Sequence, residues 1–303
     1  MADAPAIETR GLSKTYANSV RALVDLDLSV ERGEIFGYLG PNGAGKSTTI
    51  RLLLDLIRPT AGQAAIAGFD TRARTVEARR RVGYLPGDLR LSDRLSGREQ
   101  LNSLARLRGG VDHATRDALV ERFGCVLDRR IRELSKGNRQ KLGIVQAFMH
   151  RPEVLILDEP TGGLDPLNQG EFRKLIRETA DDGRTVFLSS HSLDEVQHTA
   201  DRVGVIRKGR LVDVDSVESL RERSPRHVTI RFGERVDPAT FAALAGVQVL
   251  DSDHDVVRLA APEPAMDGIV KTAARHRVVD FVSETADLEE IFLALYREDD
   301  GRD

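Results

Sequence analysis

Apolar and polar residues alternate over Val24-Asp25-Leu26-Asp27-Leu28-Ser29-Val30, and Ala6-Ile7-Glu8-Thr9-Arg10 carries the same strand character. Both are expected as half-buried strands. Glu34-Ile35-Phe36-Gly37-Tyr38-Leu39 is an apolar strand candidate, and Thr185 to His191 reads as a further strand and its exit. Val154-Leu155-Ile156-Leu157 is a continuous apolar run of the kind that suits a parallel strand buried on both faces. Shorter strands are expected at 63–67 and 82–86. Helical stretches lie between them, at 48–57, at 75–81 and from the turn 161–166 to about Ala180. Strands alternating with helices indicate a parallel sheet covered on both sides, and such sheets bind ligands beyond the carboxyl ends of their strands.

From about 91 to 150 the strand signals stop. Leu101, Leu104, Ala105 and Leu107 repeat at helical spacing, as do Ala118, Leu119 and Phe123. This reads as a helical subdomain, about 89–150, inserted into the α/β core. Ser135 is placed to cap a helix that carries Leu142, Val145, Phe148 and Met149 on one side. Residues 202–214 read as a hairpin turning at Lys208-Gly209, and the polar stretch 221–226 marks a boundary. The expected domains are therefore 1–222 and 227–303. The second reads as strand 227–232, helix 238–244, strands 247–251 and 255–260, helix 265–275, strand 277–283 and helix 287–297. That order is the split βαβ, ferredoxin-like arrangement with an added helix. His227, His254 and His276 are scattered through it and read as surface or internally satisfied residues.

The 303 residues, 40% of them hydrophobic, are enough for one large and one small domain, each with its own core. A net charge of −3 supplies no bulk basic field for nucleic acid. The densest basic cluster, arginines 72, 74 and 79–81, has acidic neighbours and reads as a solvated helix face. One cysteine, Cys125, precludes an internal disulfide framework and suits a reducing compartment. The first residues lack a secretory pattern, and no window approaches the ~20 apolar residues of a membrane helix. Work at a membrane is thus expected to go through a partner.

The chemistry concentrates in Gly40-Pro41-Asn42-Gly43-Ala44-Gly45-Lys46-Ser47-Thr48, which fits the phosphate-binding pattern G-x-x-x-x-G-K-[ST] between a strand and a helix. Glycines let several backbone N–H groups converge on one anion, and the helix adds its positive end. Lys46 would reach the outer phosphates of a nucleotide and the Ser47 hydroxyl a Mg²⁺ ion. Tyr16, in the loop between the first two strands, could stack on an adenine ring or be a half-buried surface aromatic.

Further motifs follow in order, and with them the chain resembles the ATP-binding subunit of ATP-binding cassette (ABC) transporters over about residues 5–220. Leu134-Ser135-Lys136-Gly137-Asn138 is similar to the family's signature, Asp158-Glu159 ends an apolar strand as in its Walker B motif, Gly163-Leu164-Asp165 looks like its D-loop, and His191 looks like its switch histidine. The resemblance implies ATP and Mg²⁺ as ligands. It places Ser47 and, through water, Asp158 on the metal, Glu159 as the base for the attacking water, and His191 on the γ-phosphate or on Glu159. It makes adenine stacking the role of Tyr16. It also implies a head-to-tail homodimer in which Ser135 and Gly137 of one copy cap the ATP on the other.

Two departures stand out. The family's glutamine after the 82–86 strand is replaced by Gly87, so that contact falls to Asp88 or to water, with water favoured because Asp88 is short and one position out of register. The signature carries Lys136 and Asn138 where the family has glycine and glutamine. The fold class expected is a P-loop NTPase of the ABC type, α/β with a mixed sheet and an inserted helical subdomain, plus a small C-terminal α+β domain. The function expected is an ATPase that powers transport, in particular export of the ABC-2 type, through a separately encoded permease at the inner face of the cell membrane. The C-terminal domain would be regulatory, dimerising or partner-contacting. Alternatives are a soluble ABC-type ATPase of translation or DNA repair, and a module that binds ATP without hydrolysing it.

Overall fold

A computed structural model describes residues 4–17, 19–223 and 226–285. It divides into two compact units, 1–215 and 216–303. The division falls ahead of the polar stretch 221–226, so the short helix before that stretch goes with the second unit.

The first unit holds two sheets. The antiparallel one is formed by β1 (Ile7–Thr15), β2 (Arg21–Val30), β4 (Ala61–Ile66) and β5 (Phe69–Asp70), in the order β2-β1-β4-β5. The other runs β10-β9-β3-β8-β7-β6, from β10 (Arg210–Ser216), β9 (Arg202–Arg207), β3 (Ile35–Leu39), β8 (Thr185–Ser190), β7 (Val154–Asp158) and β6 (Val82–Leu85). β9, β3, β8, β7 and β6 are parallel neighbours. Every residue of β3, β7 and β8 is buried, as their unbroken apolar runs require. A two-residue turn joins β9 to β10, with Lys208 at φ 46° and Gly209 at φ 78°. Two left-handed residues in succession make the type I′ turn whose twist suits a hairpin.

Helix α1 (Lys46–Leu53) lies in a core shared by both sheets, in which Ile7, Leu26, Phe36, Ile50, Leu53, Ile156, Phe187 and Ile206 are buried together. Phe187 is the hub, its ring 5.9 Å from Phe36 and 5.2 Å from Tyr38. Truncating such a ring to alanine costs about 3–5 kcal/mol. α1 is shorter than the expected 48–57 because Leu54 caps it and Asp55, at φ 52°, turns the chain out of the helix. The arginine cluster is largely exposed, as expected of a solvated face, and its side chains also make contacts within the fold. Arg79 on α2 (Thr75–Arg80) donates to the carbonyls of Leu54 and Asp55, while Arg74 and Arg81 lie 4.3 and 4.0 Å from the Phe69 ring centre.

The helical stretch comprises α3 (Gly97–Leu107), α4 (His113–Arg122) and α5 (Lys136–Phe148). Each begins where a side chain satisfies free N–H groups: Ser96 in a capping box with Glu99, Asp112, and Ser135, which accepts from the Asn138 N–H. α6 (Pro166–Asp181) follows the Asp165 cap with proline at its first position, and α7 (Leu193–Gln197) follows Ser192.

The second unit begins with α8 (Val217–Arg223) and continues β11 (Arg226–Phe232), α9 (Ala239–Ala242), β12 (Gln248–Asp253), β13 (Val256–Ala261), α10 (Met266–Ala273) and β14 (Val278–Thr285). Its sheet is antiparallel in the order β12-β13-β11-β14, and Val228, Ile230, Phe232, Phe241, Leu259 and Ile269 form its core. The helix expected at 287–297 lies outside the described residues.

Candidate functional site

The turn after β3 is shaped by what glycine permits. Gly43 and Gly45 take φ 82° and 115°, a region that L side chains rarely adopt. A Cβ on Gly40 would fall 2.3 Å from the Ile206 carbonyl oxygen, and one on Gly45 2.6 Å from that of Ala22. The loop is thus wedged between β2 and the β9–β10 hairpin, whose Gly209 N–H donates to the Ala44 carbonyl over 2.9 Å. These contacts hold an open cleft of about 200 Å³ lined by Ala22, Pro41, Asn42, Gly43, Gly45, Lys46, Ser47, Thr48 and Glu159.

Lys46 is only 6% exposed, an expensive place for an ammonium group unless it is paired. Its Nζ donates to the Gly40 carbonyl over 2.6 Å and the Pro41 carbonyl over 3.3 Å, and lies 3.4 Å from Glu159 Oε1. That last approach is an ion pair without hydrogen-bond geometry, and Glu159 Oε1 has no hydrogen-bond partner among the described residues. A buried cation and a buried acceptor atom without a donor therefore face one another across the glycine loop. Beside them the Ser47 hydroxyl donates to Asp158 Oδ2 over 2.9 Å, and the Ser189 hydroxyl to Asp158 Oδ1 over 2.6 Å.

Glu159 follows Asp158 at φ 50°, a left-handed conformation costing a non-glycine residue roughly 1–2 kcal/mol. That turn separates the two carboxylates: Asp158 faces Ser47, and Glu159 faces Lys46 and His191. His191 Nδ1 stands 2.6 Å from Glu159 Oε2, and the imidazole is 60% exposed. Behind it, Ser190 donates to Glu195 Oε2 over 2.6 Å and accepts from the Ser192 N–H over 3.0 Å. Burial holds the Glu195 carboxyl above the usual carboxylate range, against opposing hydrogen bonds from Ser190 and Thr161.

The described residues contain no group of three or more acidic, cysteine or histidine side chains able to hold a metal. One hydroxyl beside one carboxylate, next to a phosphate-sized cradle, does suit Mg²⁺. That ion takes few protein oxygens and completes its octahedron with phosphates and water.

Lys46, Ser47, Asp158, Glu159 and His191 thus meet at the carboxyl ends of β3, β7 and β8. Tyr16 stands apart, in the turn closed by its N–H to the Val20 carbonyl, ahead of the β2 residue Ala22 that lines the cleft. Its ring is 37% exposed with Lys14 Nζ 5.2 Å above it. Ser135 and Gly137 are not cleft residues. They begin α5, where Ser135 is exposed and a Cβ on Gly137 would come 2.8 Å from the Gly163 carbonyl oxygen. At Gly87 a Cβ would stand 3.2 Å from the Asp158 carbonyl oxygen and 3.5 Å from its carboxylate, so this position looks straight at Asp158. Asp88 turns away into an exposed pair with Arg90 at 2.8 Å. Ser189 and Glu195 escaped sequence reasoning; the Ser-Ser pair before His191 was the one available signal.

A glycine-lined phosphate cradle at a strand–helix junction, with a second strand ending in two carboxylates, defines a P-loop nucleoside triphosphatase. The model of the ABC transporter family matches residues 23–162. The daunorubicin/doxorubicin resistance ATP-binding protein DrrA of Streptomyces peucetius is 35% identical over 96% of this chain and 92% of its own length. The bacitracin transport ATP-binding protein BcrA of Bacillus licheniformis is 37% identical over 76% of each chain. Among solved structures, an ATP-binding subunit of an ABC transporter superposes with a TM-score of 0.66 at 31% identity, covering 71% of this chain and 92% of that one. The chain belongs to the ABC transporter family, as an ATP-binding subunit with ATPase activity.

Proposed function

We propose that this chain hydrolyses Mg·ATP as a head-to-tail homodimer and powers export through a separately encoded permease at the inner face of the cell membrane. The observation that carries the hydrolytic reading is Glu159, held between Lys46 and His191 with one carboxylate oxygen free of hydrogen bonds. The Glu159 carboxylate, which lines the cleft, can accept a proton from an attacking water, a role typically contributing ~10²–10⁴-fold. His191 fixes the carboxylate's orientation and, being largely exposed, can also reach the terminal phosphate. Lys46 and the loop N–H groups of residues 42–48 bind the phosphates, Ser47 and Asp158 hold Mg²⁺, and Tyr16 stacks on the base. Mg²⁺ supplies charge neutralisation on the transferring phosphoryl group.

The dimer reading rests on Ser135 and Gly137. They make a helix-start anion clamp that their own cleft does not use, and a second copy related by a two-fold axis would bring it there. The permease reading rests on the transport and resistance names of the relatives, and on the described residues offering no helix long and apolar enough to cross a membrane. Residues 1–222 would form the nucleotide-binding domain, with 89–150 as its helical subdomain and 227–303 as an accessory domain. The net charge of −3 argues against nucleic acid as a partner. A phosphate-release assay on the purified chain tests the core of the proposal. Glu159→Gln should bind ATP, lose at least ~10²-fold in kcat and accumulate as a dimer. Wild-type turnover in that variant would remove Glu159 from its role.

A further inference from the structure

Gln140 is a buried polar residue that the nucleotide chemistry does not use. It lies on the second turn of α5, is 6% exposed, and its Nε2 donates to the Pro160 carbonyl over 2.6 Å. That carbonyl belongs to the residue directly after Glu159. Glu159 itself is fixed from the other side, its N–H donating to the Ser189 carbonyl over 3.1 Å and its carbonyl accepting from the Gly162 N–H over 3.3 Å. Two more contacts join the same pieces. Gly137 approaches the Gly163 carbonyl so closely that a Cβ would stand 2.8 Å from it, and the Lys136 methylenes lie 3.2 Å from the place of a Gly163 Cβ. The start of α5 and the turn 160–163 are therefore fastened together in three places, and of these only the Gln140 bond reaches the residue next to Glu159.

We infer that Gln140 is a positioning residue that couples the anion clamp at the start of α5 to Glu159 of the same chain. This rests on the dimer reading proposed above. In a dimer the clamp would face the partner's ATP while Glu159 faces the chain's own. A shift of α5 on closing over the partner's nucleotide is then passed through a short hydrogen bond to the Glu159 turn. A bond of 2.6 Å can carry a shift of up to about 1 Å while it stays made, and misplacing a reacting group by that much costs up to ~10²-fold. Each ATP site would thereby sense whether the other is occupied, and turnover would be cooperative in ATP.

The test uses the full chain and two variants of nearly unchanged shape. Gln140→Met keeps the volume and removes the donor. Its kcat should fall about tenfold with KM for ATP within about twofold, and its Hill coefficient should drop from above 1 to about 1. Gln140→Glu supplies a donor only when protonated, and burial raises a carboxyl's pKa into the accessible range. Relative to wild type, it should be near full activity at pH 6 and about tenfold down at pH 8.5. Melting temperature and fluorescent-nucleotide affinity establish that both variants are folded. A wild-type Hill coefficient of 1, an unchanged coefficient in Gln140→Met, or equal activity ratios of Gln140→Glu at both pH values would each overturn the inference. If Glu159→Gln abolishes turnover while Gln140→Met leaves it intact, the coupling alone fails. If the wild type shows no ATPase activity, the functional reading fails with it.

Discussion

Two places in the first unit present a helix start with glycine beside or within its first turn, and they are finished very differently. At the start of α1 the loop 40–45 is wedged by β2 and the β9–β10 hairpin, Lys46 is buried, and Asp158, Glu159 and His191 arrive from two neighbouring strands. At the start of α5, Ser135 and Lys136 are exposed, and the Ser135 hydroxyl is occupied in capping the Asn138 N–H. The first place has a cleft and a set of reactive groups. The second has an anion-compatible end and a firm attachment to the turn after Glu159. A cradle with its chemistry in the same chain can bind by itself, while a clamp without a cleft has a use only against something brought to it. Binding and turnover are therefore expected to separate experimentally.

The largest break in that comparison should come from the first place. Lys46→Ala removes a buried cation that contributes charge-assisted phosphate contacts of ~1.5–3 kcal/mol each, so ATP affinity should fall by ~10–100-fold in equilibrium dialysis. Unchanged affinity would mean that the loop is not the nucleotide site.

A smaller effect probes the far anchor of α5. His150 follows that helix and its Nε2 contacts the Val82 carbonyl at 3.2 Å, while burial, with help from Arg108, depresses its pKa to about 4. The folded state thus binds its proton less readily than the unfolded chain, whose histidine titrates near 6.5. Stability from this site is complete above about pH 6.5 and is lost as the pH falls towards about 4. The melting temperature should drop by roughly 5 °C across that window, and His150→Gln should flatten this part of the decline. Equal slopes in the two proteins would show that His150 does not anchor the helix.

The smallest effect sharpens the contrast at Asp158. Because Asp88 pairs outward with Arg90 while Gly87 faces the carboxylate, Asp88→Asn should leave kcat and the Mg²⁺ requirement within about twofold of wild type. A marked loss of Mg²⁺ affinity would return Asp88 to the metal.

What was legible beforehand follows the range over which each feature is specified. The glycine loop, the apolar runs of β3, β7 and β8 and the cap Ser135 are local patterns, and the structure places elements close to where those patterns put them. The six-stranded order brings 40–48, 158–159 and 191 to one edge, as expected when ligand groups sit at the carboxyl ends of parallel strands. Contacts from a side chain to a distant backbone or side-chain atom have no such signature. Gln140 on Pro160, Ser189 on Asp158 and the stacking of Arg74 and Arg81 on Phe69 depend on which strands neighbour which, and nothing in their immediate sequence marks them. The arginine cluster is largely exposed, with Arg74 paired to Glu77 as its acidic neighbours suggest, and the contacts to Phe69 and to the end of α1 come in addition.

Mixing two inactive variants tests most directly whether the second place completes the first in trans. Glu159→Gln lacks the base but keeps its clamp, and Ser135→Arg blocks its clamp but keeps its base. Each alone should be nearly inactive. Combined in equal amounts before ATP is added, they should recover up to about a quarter of the wild-type rate, because randomly paired copies form mixed dimers half the time and each mixed dimer has one intact composite site. A mixture no more active than its components would contradict the account.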